Sequence, residues 1–263
     1  MIVVKIGGGE GTDLVNLVRD VVAYRDIIIV HGGSDHLNTL SVELGVPPKF
    51  VTSPSGHTSR VTDEKTLDLI RMAYAGSINK KLVEMLRVGG VNAIGLSGID
   101  GGLLKGKKKG SIKYIEQGKV KILHNDNTGT VDNVNVDLLN LLLGAGYVPV
   151  ITIPIEAEGG GSLNADADRA AASIASAVKA ESLVLLTNKP GLLKNADDDS
   201  SLIKEVKGPS LDQAMDYAQG RMKKKVLAAK EALTGGVPKV VISNANSERP
   251  LTKALAGEGT VLW

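Results

Sequence analysis

Five short stretches of this chain combine residue types and spacings suited to handling anions. Lys5 stands two residues before Gly7, Gly8 and Gly9, at the end of the apolar run MIVVKI. A second β-branched run, IIIV, stops at His31-Gly32-Gly33-Ser34. Glycine lets backbone N–H groups approach a ligand closely, and the N-terminus of a following helix favours negative charge. With the Lys5 ammonium beside them, the two turns are read as holding a nucleotide's phosphates. Neither is a complete GxGxxG or GxxxxGKS/T pattern, and alone each is equally a plain structural turn. In NADADRAAA, Asn164, Asp166 and Asp168 follow a loop of three glycines and open a helix. The carboxylates either cap that helix, with its dipole in their favour, or do chemistry. Residues 220–225, GRMKKK, open another helix with three lysines, which is unfavourable unless an anion is near and so points to phosphate. Arg60, in SRVTD, is either a solvated charge or a clamp for a carboxylate.

These residues meet only if strands and helices alternate around one sheet. Core strands are expected over 1–6, 27–31, 91–96, 148–153, 183–187 and 239–243, with an edge strand over 260–263. Leu14, Leu17, Val18, Val21 and Val22 recur at helical spacing behind Thr12 or Asp13 as cap. Further helices are expected up to about 44, where Gly45-Val46-Pro47-Pro48 breaks the chain, and over 63–87, 134–143, 165–178 and 222–233. Residues 49–62 read as a hairpin turning at Ser53-Pro54-Ser55-Gly56. Residues 111–123 read as a second hairpin, off the main sheet, turning at Glu116-Gln117-Gly118. Helical crossovers make a sheet parallel and bring the glycine turns to one edge. The fold class is therefore α/β, an open and mainly parallel sheet with helices on both faces. A soft boundary near 180 divides one continuous sheet into lobes of 1–180 and 181–263.

The chain has 263 residues and 43% apolar content, enough to bury a sizeable core. It contains no cysteine, which excludes disulfides and thiolate chemistry, and its four histidines are scattered, which argues against a zinc site. There is no apolar run of membrane-spanning length and no basic, apolar leader, so a cytoplasmic protein is expected. The net charge is only +2, yet between Lys105 and Lys121 seven lysines face one glutamate. Tyr114 is the only aromatic residue there, which does not fit a nucleic-acid surface.

Taken in order, these segments resemble the amino-acid kinase family, above all its acetylglutamate kinase branch, over nearly the whole chain. The family's opening K-I-G-G is found at Lys5-Ile6-Gly7-Gly8, its HGGG turn at His31-Gly32-Gly33-Ser34 and its R-x-T-D element at Arg60-Val61-Thr62-Asp63. Its N-x-x-A-D-x-A-A corresponds to residues 164–171, its L-S/T-D-x-x-G to Leu186-Thr187-Asn188-Lys189-Pro190-Gly191, and its G-x-M-x-x-K to residues 220–225. Residues 129–135 resemble its G-x-V-x-x-V-N. The stretches 53–60 and 98–104 are most similar to the kinases of this branch that act on 2-aminoadipate or glutamate linked to a small acidic carrier protein. Three positions depart from the family pattern. Ser34 replaces the third glycine, Asn188 an aspartate of the nucleotide site, and Thr58-Ser59 the Gly-Leu usual before the arginine. The last change argues against free acetylglutamate as substrate.

The resemblance implies transfer of the γ-phosphoryl group of ATP to a side-chain carboxylate, with Mg2+ bridging the phosphates. Lys5 and Lys225 would approach the phosphoryl oxygens from the two lobes, with Asp168 holding both ammonium groups. N–H groups of Gly8, Gly32 and Gly33 would add donors. Arg60 and Asn164 would bind the α-carboxylate side of the amino acid, with Gly32, Gly33 and Ser34 lining its pocket. Gly7, Gly8, Thr187, Asn188, Gly191 and Met222 would contact ATP. The carrier protein would dock on the basic segment from Lys105 to Lys121, in lysine or arginine biosynthesis. Relatives dimerise through the helix after the first hairpin, and arginine-inhibited hexamers carry an extra N-terminal helix, so a homodimer without arginine feedback is expected. The rival within the branch is a kinase of free N-acetylglutamate; the rival outside it is a nucleotide-sensing regulatory protein.

Overall fold

The computed structural model describes residues 1–7, 14–54, 56 and 58–263. The two β-branched runs are β1 (Ile2–Ile6) and β2 (Ile27–His31), joined by α1 (Leu14–Val21), which buries Leu17, Val18 and Val21. Thr12 and Asp13, the expected caps, lie outside the described residues. The second turn opens α2 (Ser34–Glu43), and β3 (Phe50–Thr52) pairs with β4 (Thr58–Arg60) as the expected separate hairpin. Next, α3 (Glu64–Ile70), a π-helical stretch Arg71–Ile78 and α4 (Asn79–Val88) run on as one long helix. The Asp63 carboxylate caps its start, accepting from the Thr66 N–H at 2.8 Å, and Gly90, at φ 86°, follows its end.

After β5 (Ala93–Gly98), the chain forms β6 (Leu104–Lys108), then β7 (Ile112–Glu116) and β8 (Lys119–Leu123), and then β9 (Gly129–Val134). The β7–β8 hairpin forms a sheet of its own, as expected, whereas β6 and β9 pair antiparallel within the main sheet. The helix expected from 134 starts two residues later, as α5 (Val136–Gly144), because Val134 still belongs to β9 and Asn135 accepts from the Leu138 N–H at 3.1 Å as cap. The long strand β10 (Val148–Ala157) continues through Pro154, where an end was expected. The proline falls between ladders: β5 pairs with residues 148–152, while β6 and β11 (Ser162–Leu163) pair with residues 155–157, so no ladder bond needs its missing N–H.

The chain closes with α6 (Ala167–Ala177), β12 (Ser182–Thr187), β13 (Glu205–Val206), α7 (Leu211–Tyr217), α8 (Arg221–Thr234), β14 (Val240–Asn244), α9 (Pro250–Leu255) and β15 (Thr260–Leu262). The main sheet runs β13-β15-β14-β12-β1-β2-β10, with β5, β6 and β11 against β10 and β9 outside β6. From β14 to β5 every neighbouring pair is parallel. β15 is not the edge strand: it lies between β14, to which it is antiparallel, and β13. β13 is two residues long and has no apolar run to announce it.

Alternation along each strand divides the core into two. Val4, Ile6, Ile27, Ile29, Val184 and Leu186 pack with α1, α4 and α9. Val3, Ile28, Val30, Leu183 and Leu185 face the opposite way, toward α2, α3, α5, α6 and α8. That is the expected sheet between two helical layers, and β1 sits at its centre, bonded to β2 on one side and β12 on the other.

Candidate active site

Lys5 follows the strand period. Its neighbours Val4 and Ile6 point to one layer, so Lys5 emerges with Val3 on the layer formed by α6 and α8. There the alanines of α6 (Ala170, Ala171, Ala172, Ala175) and of α8 (Ala228, Ala229, Ala232) are buried and let the two helices approach closely. Asp168, in the first turn of α6, and Lys225, one turn into α8, thereby reach the same point. Lys5 Nζ lies 2.6 Å from Asp168 Oδ1, and Lys225 Nζ lies 3.0 and 3.1 Å from the two carboxylate oxygens. All three residues are buried. Burial opposes ionisation of Asp168, but Lys225 and Lys5, with their hydrogen bonds, hold its carboxyl well below the ordinary range. Burial pushes the Lys225 ammonium down to about 8, against the pull of Asp168 and with the help of Lys5.

The second glycine turn lies beside this clamp: a Cβ on Gly32 would lie 3.7 Å from Ala167 Cβ at the start of α6. A Cβ on Gly33 would lie 2.0 Å from Ile78 Cδ1 and 3.1 Å from the Tyr74 ring, so the turn packs directly on the π-helical stretch. Beneath it, His31 Nδ1 donates to the Gly32 carbonyl at 2.9 Å, and His31 Nε2 accepts from Asn79 Nδ2 at 3.0 Å. Asn79 also donates to the Val150 carbonyl at 3.0 Å, and burial lowers the His31 imidazole to about 4, so it is neutral at pH 7. No N–H of Gly32, Gly33 or Ser34 has a protein acceptor among the described residues. These donors open the ten-residue helix α2, an arrangement that accepts an anion.

Arg60 reaches the same turn from β4. Its Nη2 donates to Asn38 Oδ1 and, at 3.5 Å, to the Ser34 carbonyl, and its guanidinium lies 4.8 Å from the centre of the Phe50 ring. Its Nη1 is buried without a partner among the described residues. An orphaned guanidinium N–H next to free turn amides fits a carboxylate ligand. Asn164 connects to Arg60 through Thr62: Asn164 Nδ2 donates to Thr62 Oγ1 at 3.0 Å, and Thr62 Oγ1 donates to the Arg60 carbonyl at 3.3 Å. Asp126 holds the Thr62 N–H at 2.6 Å, while its Oδ1 and Thr128 Oγ1 are buried and have no partner among the described residues.

The lysine-rich start of α8 has its anions within the protein. Arg221 makes a two-pronged pair with Asp35, at 2.6 and 3.2 Å; Lys224 lies 3.4 Å from Asp166; Lys225 rests on Asp168. Asp166 also accepts from the N–H groups of Asp168 and Arg169 and so caps α6, while Asp168 is paired with the two lysines. Thr187 ends β12 and Asn188 follows it, next to Gly7, whose N–H donates to the Leu186 carbonyl at 3.0 Å. Gly191 is packed where a Cβ would meet Thr260 Oγ1 at 2.6 Å, and Met222 packs against the core. Gly8 lies outside the described residues. Sequence reasoning missed the supports of the site, namely Asn79, Thr62, Asp126 and the Asp35–Arg221 pair. Among these, Thr62 and Arg221 stand inside readable motifs, at positions whose partners the motifs do not reveal.

Among the described residues, no three His, Cys, Asp or Glu side chains converge as a metal cage, and no helix is long and apolar enough to cross a membrane.

A model of the amino acid kinase family matches residues 1–244. The chain is 52% identical over 266 residues to a LysW-aminoadipate kinase of Deinococcus radiodurans, covering all of this chain and 91% of the relative. It is 47% identical over 268 residues to the LysW-aminoadipate kinase of Thermus thermophilus, covering both chains entirely. An acetylglutamate kinase of Methanopyrus kandleri is 39% identical over 264 residues, again across both chains. Among solved structures, carbamate kinase of Giardia lamblia bound to AMP-PNP superposes with a TM-score of 0.67 at 14% identity, covering 99% of this chain and 97% of that one. N-acetylglutamate synthase of Neisseria gonorrhoeae gives 0.79 at 24%, with 99% of this chain matched to 58% of the synthase.

Proposed function

This chain belongs to the amino acid kinase family, and on that premise we propose that it transfers the γ-phosphoryl group of ATP to the side-chain carboxylate of 2-aminoadipate or glutamate held on a small acidic carrier protein. The product is an acyl phosphate. The observation that carries this reading is the buried Lys5–Asp168–Lys225 clamp, in which two ammonium groups from distant parts of the chain share one carboxylate. The names of its bacterial relatives support the carrier-linked acceptor.

A carboxylate is ionised at pH 7, so the reaction needs no general base. What it needs is alignment of nucleophile and phosphorus and stabilisation of charge on the group in transfer. Lys5 and Lys225 supply that charge, and Asp168 fixes where they point. The turn N–H groups at Gly32 and Gly33 are neutral donors beside them, with Gly8 in the same role on the first turn. Arg60 Nη1 and Asn164 hold the α-carboxylate side of the acceptor, and Ser34 lines its pocket. Thr187, Asn188, Gly191 and Met222 belong to the nucleotide lobe, which we divide from the acceptor lobe near residue 180, and Gly7 contacts ATP from the first turn of the acceptor lobe. Mg2+ suits a site of this kind, because it keeps waters and binds through substrate phosphates instead of a protein cage; it would neutralise the phosphate oxygens.

The carrier is assigned to the β7–β8 hairpin. Lys113 and Lys119 are exposed there without side-chain partners among the described residues, beside exposed Ile115, Val120 and Ile122. Lys107 is engaged with Glu158 and Lys108 with Asn127, whereas Lys113 and Lys119 stand on the two strands of the hairpin. Exposed Met72 and Val88 on the long helix support a homodimer through that face.

The test is acyl-phosphate formation, trapped with hydroxylamine, using ATP, Mg2+ and three acceptors: carrier-linked aminoadipate, carrier-linked glutamate and free N-acetylglutamate. Efficient turnover of a carrier-linked acceptor is expected. Efficient turnover of free N-acetylglutamate alone would replace this reading with an acetylglutamate kinase, and no transfer to any of the three would reject it.

A further inference from the structure

The first turn of α8 does more than deliver Lys225. Its first residue, Arg221, grips Asp35 with both arms of its guanidinium, across 186 positions of sequence. Asp35 directly follows Ser34 of the acceptor turn, and the Ser34 carbonyl is itself held by Arg60. Arg221 and Lys225 are four residues apart and share one face of α8. Fixing Arg221 therefore sets both the rotation and the advance of the helix that places Lys225 on Asp168. Two neighbours add to the same seam: Lys224 pairs with Asp166, and Lys223 reaches the β3–β4 turn, 3.9 Å from where a Gly56 Cβ would stand.

We infer that Arg221 and Asp35 form a positioning clasp, which locks the acceptor turn to the phosphoryl clamp in the arrangement that transfers phosphate and opens when reactants exchange. The inference rests on reading Lys5, Asp168 and Lys225 as that clamp. The clasp suits a reversible contact. Arg221 is 66% exposed and Asp35 26% exposed, and a solvent-accessible pair adds little to global stability. It is bidentate and hence directional, which fixes geometry better than a single contact would. Neither residue needs to touch ATP or the acceptor. A displacement of order 1 Å at Lys225 is enough to slow transfer severely.

The experiment compares Asp35→Asn, Arg221→Gln and the double variant with the wild type in steady-state kinetics on carrier-linked aminoadipate. It also compares amide hydrogen exchange over residues 34–38 and 221–225. Each single variant should lower kcat about tenfold while KM for ATP stays within about twofold, the pattern of a contact that matters only in the transition state. The double variant should be no worse than either single, because the two residues act as one unit. Exchange should quicken over both segments in each variant, with the melting temperature little changed. A kcat within about twofold of wild type, losses that multiply in the double variant, or unchanged exchange in both segments would each overturn the clasp. If the wild type itself transfers phosphate to none of the acceptors, the proposed function has failed, and the exchange comparison still decides whether the two segments are coupled.

Discussion

Replacing Asp168 by asparagine tests the clamp without assuming any reaction. Lys5 Nζ and Lys225 Nζ lie 2.6 and 3.0 Å from the same oxygen, so their nitrogens are within about 5.6 Å of each other. With the carboxylate gone, two buried ammonium groups repel by about 3 kcal/mol at an effective dielectric constant of about 20 and a separation of about 5 Å. Removing one partner of a buried ion pair costs about 3–5 kcal/mol in general, and the two figures agree. For a chain of this length each kcal/mol moves the melting temperature by roughly 2–4 °C, so Asp168→Asn should melt about 6–20 °C lower at pH 7. The pH dependence distinguishes charge repulsion from lost packing. In the variant the two ammonium groups repel each other while both are charged, so the penalty is full at low pH and shrinks as pH rises toward the unfolded lysine value of about 10.4. In the wild type the lowered Asp168 carboxyl contributes stability above its unfolded value, lost as pH falls through its folded one. Urea denaturation of both proteins at pH 7 and pH 10 provides the measurement. A difference below about 1 kcal/mol at pH 7, or one that does not shrink at pH 10, would refute the shared clamp.

Lys5→Ala and Lys225→Ala should each lower kcat by about 10²-fold or more with the fold intact by circular dichroism; near-normal turnover in both would remove them from the reaction. Because burial sets the Lys225 ammonium at about 8 and transfer needs its charged form, kcat/KM should fall above that pH. Lys225→Arg, slower but always charged, should lack this limb, and a limb that persists in it must come from another group. Asn79→Leu leaves His31 Nε2 and the Val150 carbonyl without their donor and should cost about 1–3 kcal/mol by urea denaturation. Lys113→Gln with Lys119→Gln should slow association with an acidic carrier protein and flatten its salt dependence in stopped-flow measurements, with kcat at saturating carrier unchanged. Unchanged association rates would place the carrier elsewhere.

Much of this protein could be read from the order of its residues, for reasons that are local. β-Branched runs ending at glycine are strands ending in turns, so β1, β2 and their shared edge follow from the composition of a few residues. The alanines after Asp168 announced a closely packed helix, and three lysines at the start of α8 announced nearby negative charge. What the charges met was not local. Within the chain, Asp35, Asp166 and Asp168 pair with three of the four cations at that helix start, because the parallel order β12-β1-β2 brings α2, α6 and α8 to one edge. β6 and β9 escaped notice because lysine-bearing alternation looks alike in a free hairpin and at the margin of a main sheet; only the register with β10 separates them.

Arg60 shows the division most plainly. Its own neighbourhood left solvated charge and carboxylate clamp equally open. In the folded chain Phe50, Ser34 and Asn38 take one side of the guanidinium and leave Nη1 buried and, among the described residues, unpartnered, which a solvated arginine does not do. The sequence alone set which residue types stand at strand ends and helix starts, since period and turn chemistry act over a few positions. Tertiary structure alone decided which of them share a proton, a carboxylate or an empty donor, since burial and separations of about 3 Å depend on strands that lie far apart in the chain.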